Sequence, residues 1–256
     1  LLASAVAFVL NGYISKTETL ADVGLYNAGL AIVDGYVGMV FTAMSTDYFP
    51  RLSALINDEK QWRQVVNQQA ELVLIILGIV LVLLISTTPI LIRLLLSKSF
   101  LPAQDFIFWA VLAIPFKGLV WVSGFIILAK SDNKLFMIVE IIANLLLLIL
   151  NILCYKLYGI NGLGISLLVA FIITAIMIFW VINSKYDFTF NKEVFKLTFI
   201  SLISLIVSLI IIKTLVSPIA YLAQFIVVAL TITYSIYELN KRINLKSIVQ
   251  KVKSKF

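Results

Sequence analysis

Glu71–Leu96 reads ELVLIILGIVLVLLISTTPILIRLLL, a run in which Arg93 is the only charge after the opening glutamate. A helix crossing the hydrocarbon core of a bilayer needs about 20 apolar residues, so this stretch is long enough to span a membrane by itself. Membrane-spanning β-strands alternate in polarity over about ten residues. Neither this run nor LFMIVEIIANLLLLILNILCY at Leu135–Tyr155 alternates. Working outward, similar stretches occupy Leu1 to Ser15, Gly24 to Phe49, Gln104 to Ala129, Gly162 to Asn183, Val194 to Leu215 and Pro218 to Tyr237. The expected fold is all-α, a polytopic transmembrane helix bundle of eight spans. The first is already apolar at Leu1 and is read as truncated. Gly159, Asn161 and Gly162 punctuate the start of the sixth as turn residues do, and Ser217 and Pro218 make a short turn between the last two.

The bulk composition agrees. Of 256 residues 62% are hydrophobic and 13% charged, against roughly 25% charged in an ordinary soluble domain. The net charge of +7 would point to nucleic acid in a soluble protein, so its placement decides. Cytoplasmic loops carry the excess of Lys and Arg. One set of alternate connections holds Arg51, Lys60, Arg63, Lys130, Lys134, Lys185, Lys192, Lys196, Lys241, Arg242, Lys246, Lys251, Lys253 and Lys255. The other holds Lys16, Arg93, Lys98, Lys156 and Lys213. Fourteen against five makes the first set cytoplasmic. The charge is a topology signal, and no nucleic-acid partner is expected.

Two stretches have the pattern of helices lying on the membrane surface. After Pro50, the residues Leu52, Leu55, Ile56, Trp62, Val65 and Val66 share half of a helical wheel, which suits an interfacial helix linking two groups of spans. In the basic tail, Leu245, Ile248, Val249, Val252 and Phe256 fall on one face, and no acidic residue follows Glu238. This tail is expected to meet anionic membrane lipids.

Charges at membrane depth are costly and usually face a cavity or a partner. Lys117 sits mid-span, two positions after Pro115, whose ring removes a backbone hydrogen bond and favours a kink. A cation there is a natural seat for an anionic substrate group. Asp34 is equally deep and is flanked by Gly29, Gly35 and Gly38, which allow close approach of helices or a ligand. The alternative is a structural ion pair between Lys117 and Asp34. Asn11, Tyr13, Tyr26, Asn27 and Tyr36 make the first two spans more polar than the later ones, as in helices lining a hydrated cavity. Arg93 and Glu140 lie near span ends, where reaching the interface is easy. Asn144 and Asn151, seven residues apart on one face, are read as interhelical packing.

No catalytic arrangement stands out. Histidine is absent, Cys154 is the single cysteine, and there is no glycine-rich phosphate loop, CxxC pair or nucleophile elbow. No metal or cofactor is expected, and the connections are too short for an extramembrane active-site domain.

DVGLYNA at Asp22–Ala28, MSTDYFPRLS at Met44–Ser53, AKSDNK at Ala129–Lys134 and YGINGLG at Tyr158–Gly164 resemble the polysaccharide (O-antigen type) flippase family. That family belongs to the multidrug/oligosaccharidyl-lipid/polysaccharide exporter superfamily. The resemblance implies a C-terminal six-helix transporter lobe over 1–183, two additional transmembrane helices over 184–239 and a basic cytoplasmic tail over 240–256. It further implies two six-helix lobes around a cavity, typically cationic, that opens alternately to each side of the bacterial plasma membrane. The substrate would be an undecaprenyl-pyrophosphate-linked oligosaccharide, with no covalent chemistry. Lys117 would then meet the pyrophosphate, Asn11, Tyr26, Asn27 and Tyr36 the sugar hydroxyls, and Asp34 a coupling ion. The alternatives are a cation-coupled multidrug exporter of the same superfamily and a membrane-embedded glycan polymerase or transferase.

Overall fold

The computed structural model describes residues 2–17, 20–216 and 218–242. The chain forms α1 (Leu2–Thr17), α2 (Leu20–Leu55), α3 (Glu59–Leu95), a single 3-10 turn at Lys98–Phe100, α4 (Ala103–Ala129), α5 (Asn133–Tyr186), α6 (Lys192–Thr214) and α7 (Ile219–Arg242). Among the described residues there is no strand, and the six helices α2 to α7 are each long and apolar enough to cross a membrane. The protein is an all-helical, multi-pass membrane protein. The expected amphipathic tail lies outside the described residues.

The fifth and sixth spans expected from the sequence are two limbs of α5. The helix breaks at Gly159, whose φ of 59° and ψ of −142° belong to a backbone region that side chains disfavour. Its limbs then fold back on each other. Ser166 donates to Asn151 across the fold, and a Cβ on Gly162 would run into the Cys154 carbonyl. Lys185, near the end of α5, pairs with Asp132, immediately before its start. The glycines read as turn residues thus close a helical hairpin.

The stretch after Pro50 corrects an expectation. It is not a separate surface helix: α2 continues through Pro50 to Leu55, and α3 begins at Glu59 with Asp58 as its cap. The amides of Lys60 and Gln61 donate to Asp58 Oδ1 at 3.1 and 3.0 Å. The Gln61 amide contributes most to holding the Asp58 carboxyl below the usual carboxylate range. The apolar face finds a protein partner instead of lipid headgroups. Leu52, Trp62 and Val66 are fully buried, and Trp62 packs on Phe188 with ring centroids 5.3 Å apart.

The connections expected on the cytoplasmic side gather at one end of the bundle. Lys130 reaches Glu59 at 3.5 Å, and Arg63 donates to the carbonyls of Tyr186 and Asp187. The ammonium of Lys130 and the guanidinium of Arg63 sit 4.9 and 5.1 Å from the Trp62 ring centroid, within cation–π range. Lys185, bonded to Asp132, holds that carboxyl below its ordinary range. Deeper in the bundle, Tyr48 of the DYFP stretch donates its hydroxyl to the Val122 carbonyl at 3.1 Å, so this sequence element fastens α2 to α4.

Polar contacts hold α6 and α7 against α3. Toward the end opposite the Lys- and Arg-rich turns, Gln224 donates to the Ser208 carbonyl at 2.7 Å and accepts from Ser208 and Ser86. Toward the end expected to face the cytoplasm, Arg242 lies 2.5 Å from Glu71 and also pairs with Glu238. Asn191, which caps α6, donates to Glu71 at 2.8 Å. The Glu71, Glu238 and Arg242 side chains are 11%, 3% and 14% exposed. Removing one partner of a buried ion pair strands the other and costs about 3–5 kcal/mol. Arg242→Ala is therefore expected to lower the unfolding temperature in detergent. Glu71→Gln and Glu238→Gln added to it should restore part of the loss, and an unchanged melting temperature in the single variant would contradict this role.

Candidate functional site: a polar cavity between the helices

α1, α2, α4 and both limbs of α5 enclose a cavity of 410 Å³. Most of its wall is Ala, Val, Ile and Leu. The polar exceptions are Tyr26 and Asp34 from α2, Lys117 from α4, Glu140, Asn144 and Asn151 from the first limb of α5, and Thr174 from the second.

Lys117 reaches the wall from a continuous helix. Pro115 is inside α4, where its missing N–H leaves the Val111 carbonyl without a helical donor. The Lys117 ammonium lies 3.2 Å from Asp34 Oδ1 and 5.8 Å from the Phe171 ring centroid. The pair read as an alternative in the sequence is present, but it is not sealed. Its side chains are 33% and 56% exposed for lysine and aspartate. The contact therefore leaves part of the ammonium open to the cavity, where a solute can reach it. Of the glycines beside Asp34, Gly35 and Gly38 have open space where a side chain would start, whereas Gly29 seats the Phe106 ring.

The other residues singled out in the sequence divide. Tyr26 is buried on the cavity wall, edge-on to Phe106 with centroids 5.4 Å apart. Asn27 donates to Asn11 at 3.4 Å, joining α1 to α2, and neither lines the cavity. Tyr36 is 41% exposed and is also outside the lining.

The structure brings in residues that the sequence reading assigned elsewhere. Asn151 lines the cavity but is itself buried, accepting from Ser166, so its packing role holds. Glu140 and Asn144 line the cavity together. Asn144 Nδ2 lies 2.8 Å from the Glu140 carbonyl and 3.3 Å from its carboxylate Oε2. The available signal was their i, i+4 spacing, which puts a carboxylate on the face shared by Asn144 and Asn151. Among the described lining residues Lys117 is the only cation, facing two carboxylates, Asp34 and Glu140. This wall is therefore less cationic than the resemblance implied. A group of three or more metal-ligating side chains does not occur among the described residues.

Comparison with known proteins bears on the fold that holds this cavity. Residues 7–105 match the sequence model of a family described as polysaccharide biosynthesis protein. The match covers most of α1, all of α2 and α3, and the first residues of α4. The fold is similar to that of a solved structure, lipid II flippase MurJ in its inward closed conformation, with a TM-score of 0.72 at 20% identity. The similarity covers 94% of this chain and 52% of the other, so the chain spans about half the length of that flippase. No curated protein matches the chain. The resemblance read in the four short sequence elements is thus borne out by a polysaccharide-biosynthesis family match, which contains the first two of them, and by a fold shared with a lipid flippase.

Proposed function

We propose that the chain forms the cavity-bearing half of a flippase, moving undecaprenyl-pyrophosphate-linked oligosaccharide across the bacterial plasma membrane by alternating access. The observation that carries this reading is Lys117, an ammonium in the middle of a membrane span, on a cavity wall and only loosely held by Asp34. A pyrophosphate offers that ammonium more negative charge and more acceptor oxygens for charge-assisted hydrogen bonds than one carboxylate does. The substrate's anion therefore displaces Asp34, and Asp34 becomes available to a coupling ion. α1 to α5 act as the six-helix lobe, and α6 and α7 as two helices added to its side. Beside them an apolar groove of 260 Å³ lies between α3, α6 and α7 and has no charged residue in its wall. The family match to polysaccharide biosynthesis and the likeness to a lipid II flippase favour a lipid-linked glycan over a cationic drug, and transport over covalent chemistry.

The test is a reconstituted assay with the intact protein in proteoliposomes containing a fluorescent undecaprenyl-pyrophosphoryl disaccharide. The headgroup should become accessible to an impermeant quencher or glycosidase on the far side faster than in protein-free vesicles. Equal rates would refute the flippase reading. Release of a longer glycan or a cleaved product would favour the polymerase alternative.

A further inference from the structure

Glu140 and Asn144 are the polar cavity residues for which Lys117 and Asp34 leave no explanation. Counted from the turn that joins α4 to α5, Lys117 is twelve residues up its helix and Glu140 seven. At a rise of 1.5 Å per residue the carboxylate lies about 8 Å nearer the cytoplasmic end. Asn144 stands one turn above it, at nearly the depth of Lys117. Both are partly exposed, and both share the wall with Phe171, whose ring also faces the Lys117 ammonium.

We propose that Glu140 and Asn144 form a sugar-hydroxyl subsite that reads the glycan attached to the anion at Lys117. This inference rests on the lipid-linked substrate proposed above. A sugar presents vicinal hydroxyls that both donate and accept. The Glu140 carboxylate accepts only, and the Asn144 side-chain oxygen is a second acceptor for those hydroxyls. The Asn144 amide nitrogen donates to the Glu140 main-chain carbonyl at 2.8 Å and lies 3.3 Å from Glu140 Oε2, which leaves Oε1 and the amide oxygen for hydroxyl donors. The same orientation disfavours a cation, because it turns an N–H rather than a second oxygen toward the carboxylate. An aromatic ring and small alanines complete a wall against which the apolar face of a pyranose can lie. The sugar-reading role thus falls on α5, where the structure puts polar side chains on the cavity wall, rather than on Asn11 and Asn27, which bond each other outside it.

The experiment measures equilibrium binding of two probes to the intact protein in nanodiscs, undecaprenyl pyrophosphate and undecaprenyl-pyrophosphoryl N-acetylhexosaminyl disaccharide. Wild type should bind the sugar-bearing lipid about tenfold more tightly, the order that hydrogen bonds to a charged group supply. Glu140→Gln, an isosteric change, and Asn144→Ala should each bring that ratio close to one, while the sugar-free lipid still binds. Both probes are read on one preparation, so a partly unfolded variant lowers both signals and leaves the ratio interpretable. An unchanged ratio in both variants overturns the subsite. So does binding of the sugar-free lipid that requires sodium in wild type and loses that requirement in Glu140→Gln, because the pair would then hold a cation. If undecaprenyl pyrophosphate binds wild type and Lys117→Ala equally, the anion site has failed instead, which is a separate result.

Discussion

Lys117→Ala is expected to abolish most transport while the protein still inserts and accumulates. The span keeps ample apolar length without the ammonium, and the Asp34 carboxylate it leaves is more than half exposed on the cavity wall. The loss falls on substrate binding. A hydrogen bond to a charged group contributes about 1.5–3 kcal/mol, on the order of ten- to a hundredfold in affinity. Surface glycan should fall sharply in cells that depend on the variant, with membrane levels of the protein near those of wild type. Lys117→Arg should keep part of the function, because the charge persists while its geometry changes. Normal surface glycan in the alanine variant would remove the anion-binding role.

The second large effect separates the two explanations of Asp34. If its chief role were to neutralise Lys117, removing both charges would relieve each single variant, as in a buried pair whose members depend on each other. The geometry argues otherwise, since more than half of the Asp34 side chain is exposed on a cavity wall. Asp34→Asn is therefore expected to change thermal stability little and to impair transport. The Asp34→Asn, Lys117→Gln double variant should transport no better than Lys117→Gln alone. Recovery of flipping in the double variant would show that the pair is structural and that the anion binds elsewhere.

The membrane spans were legible because length and apolarity determine them almost alone, and the fold-back of α5 because Gly159 and Gly162 mark a turn inside an apolar run. The stretch after Pro50 was misplaced for a physical reason. An amphipathic face reports that one side is covered, without saying whether lipid or protein covers it, and here Trp62 is covered by Phe188. The cavity was legible in part. Depth along a helix can be counted from the sequence, which singled out Lys117 and Asp34. Rotation about the helix axis cannot be counted with the same precision over a long span. Tyr26 therefore falls on the wall while Tyr36, ten residues later on the same helix, does not. Glu140 reads in the sequence as a residue near a span end, with the interface within easy reach. Its position on the wall beside Asn144 depends on how α5 packs against α4.

The most direct measurement for the account as a whole is equilibrium binding of undecaprenyl pyrophosphate to the intact protein and to its Lys117→Ala variant, in nanodiscs at one salt concentration. The expected result is saturable binding by wild type, weakened on the order of ten- to a hundredfold in the variant with no comparable loss of thermal stability. Equal affinities in two equally stable proteins would contradict the assignment of Lys117 as the seat of the substrate's anion.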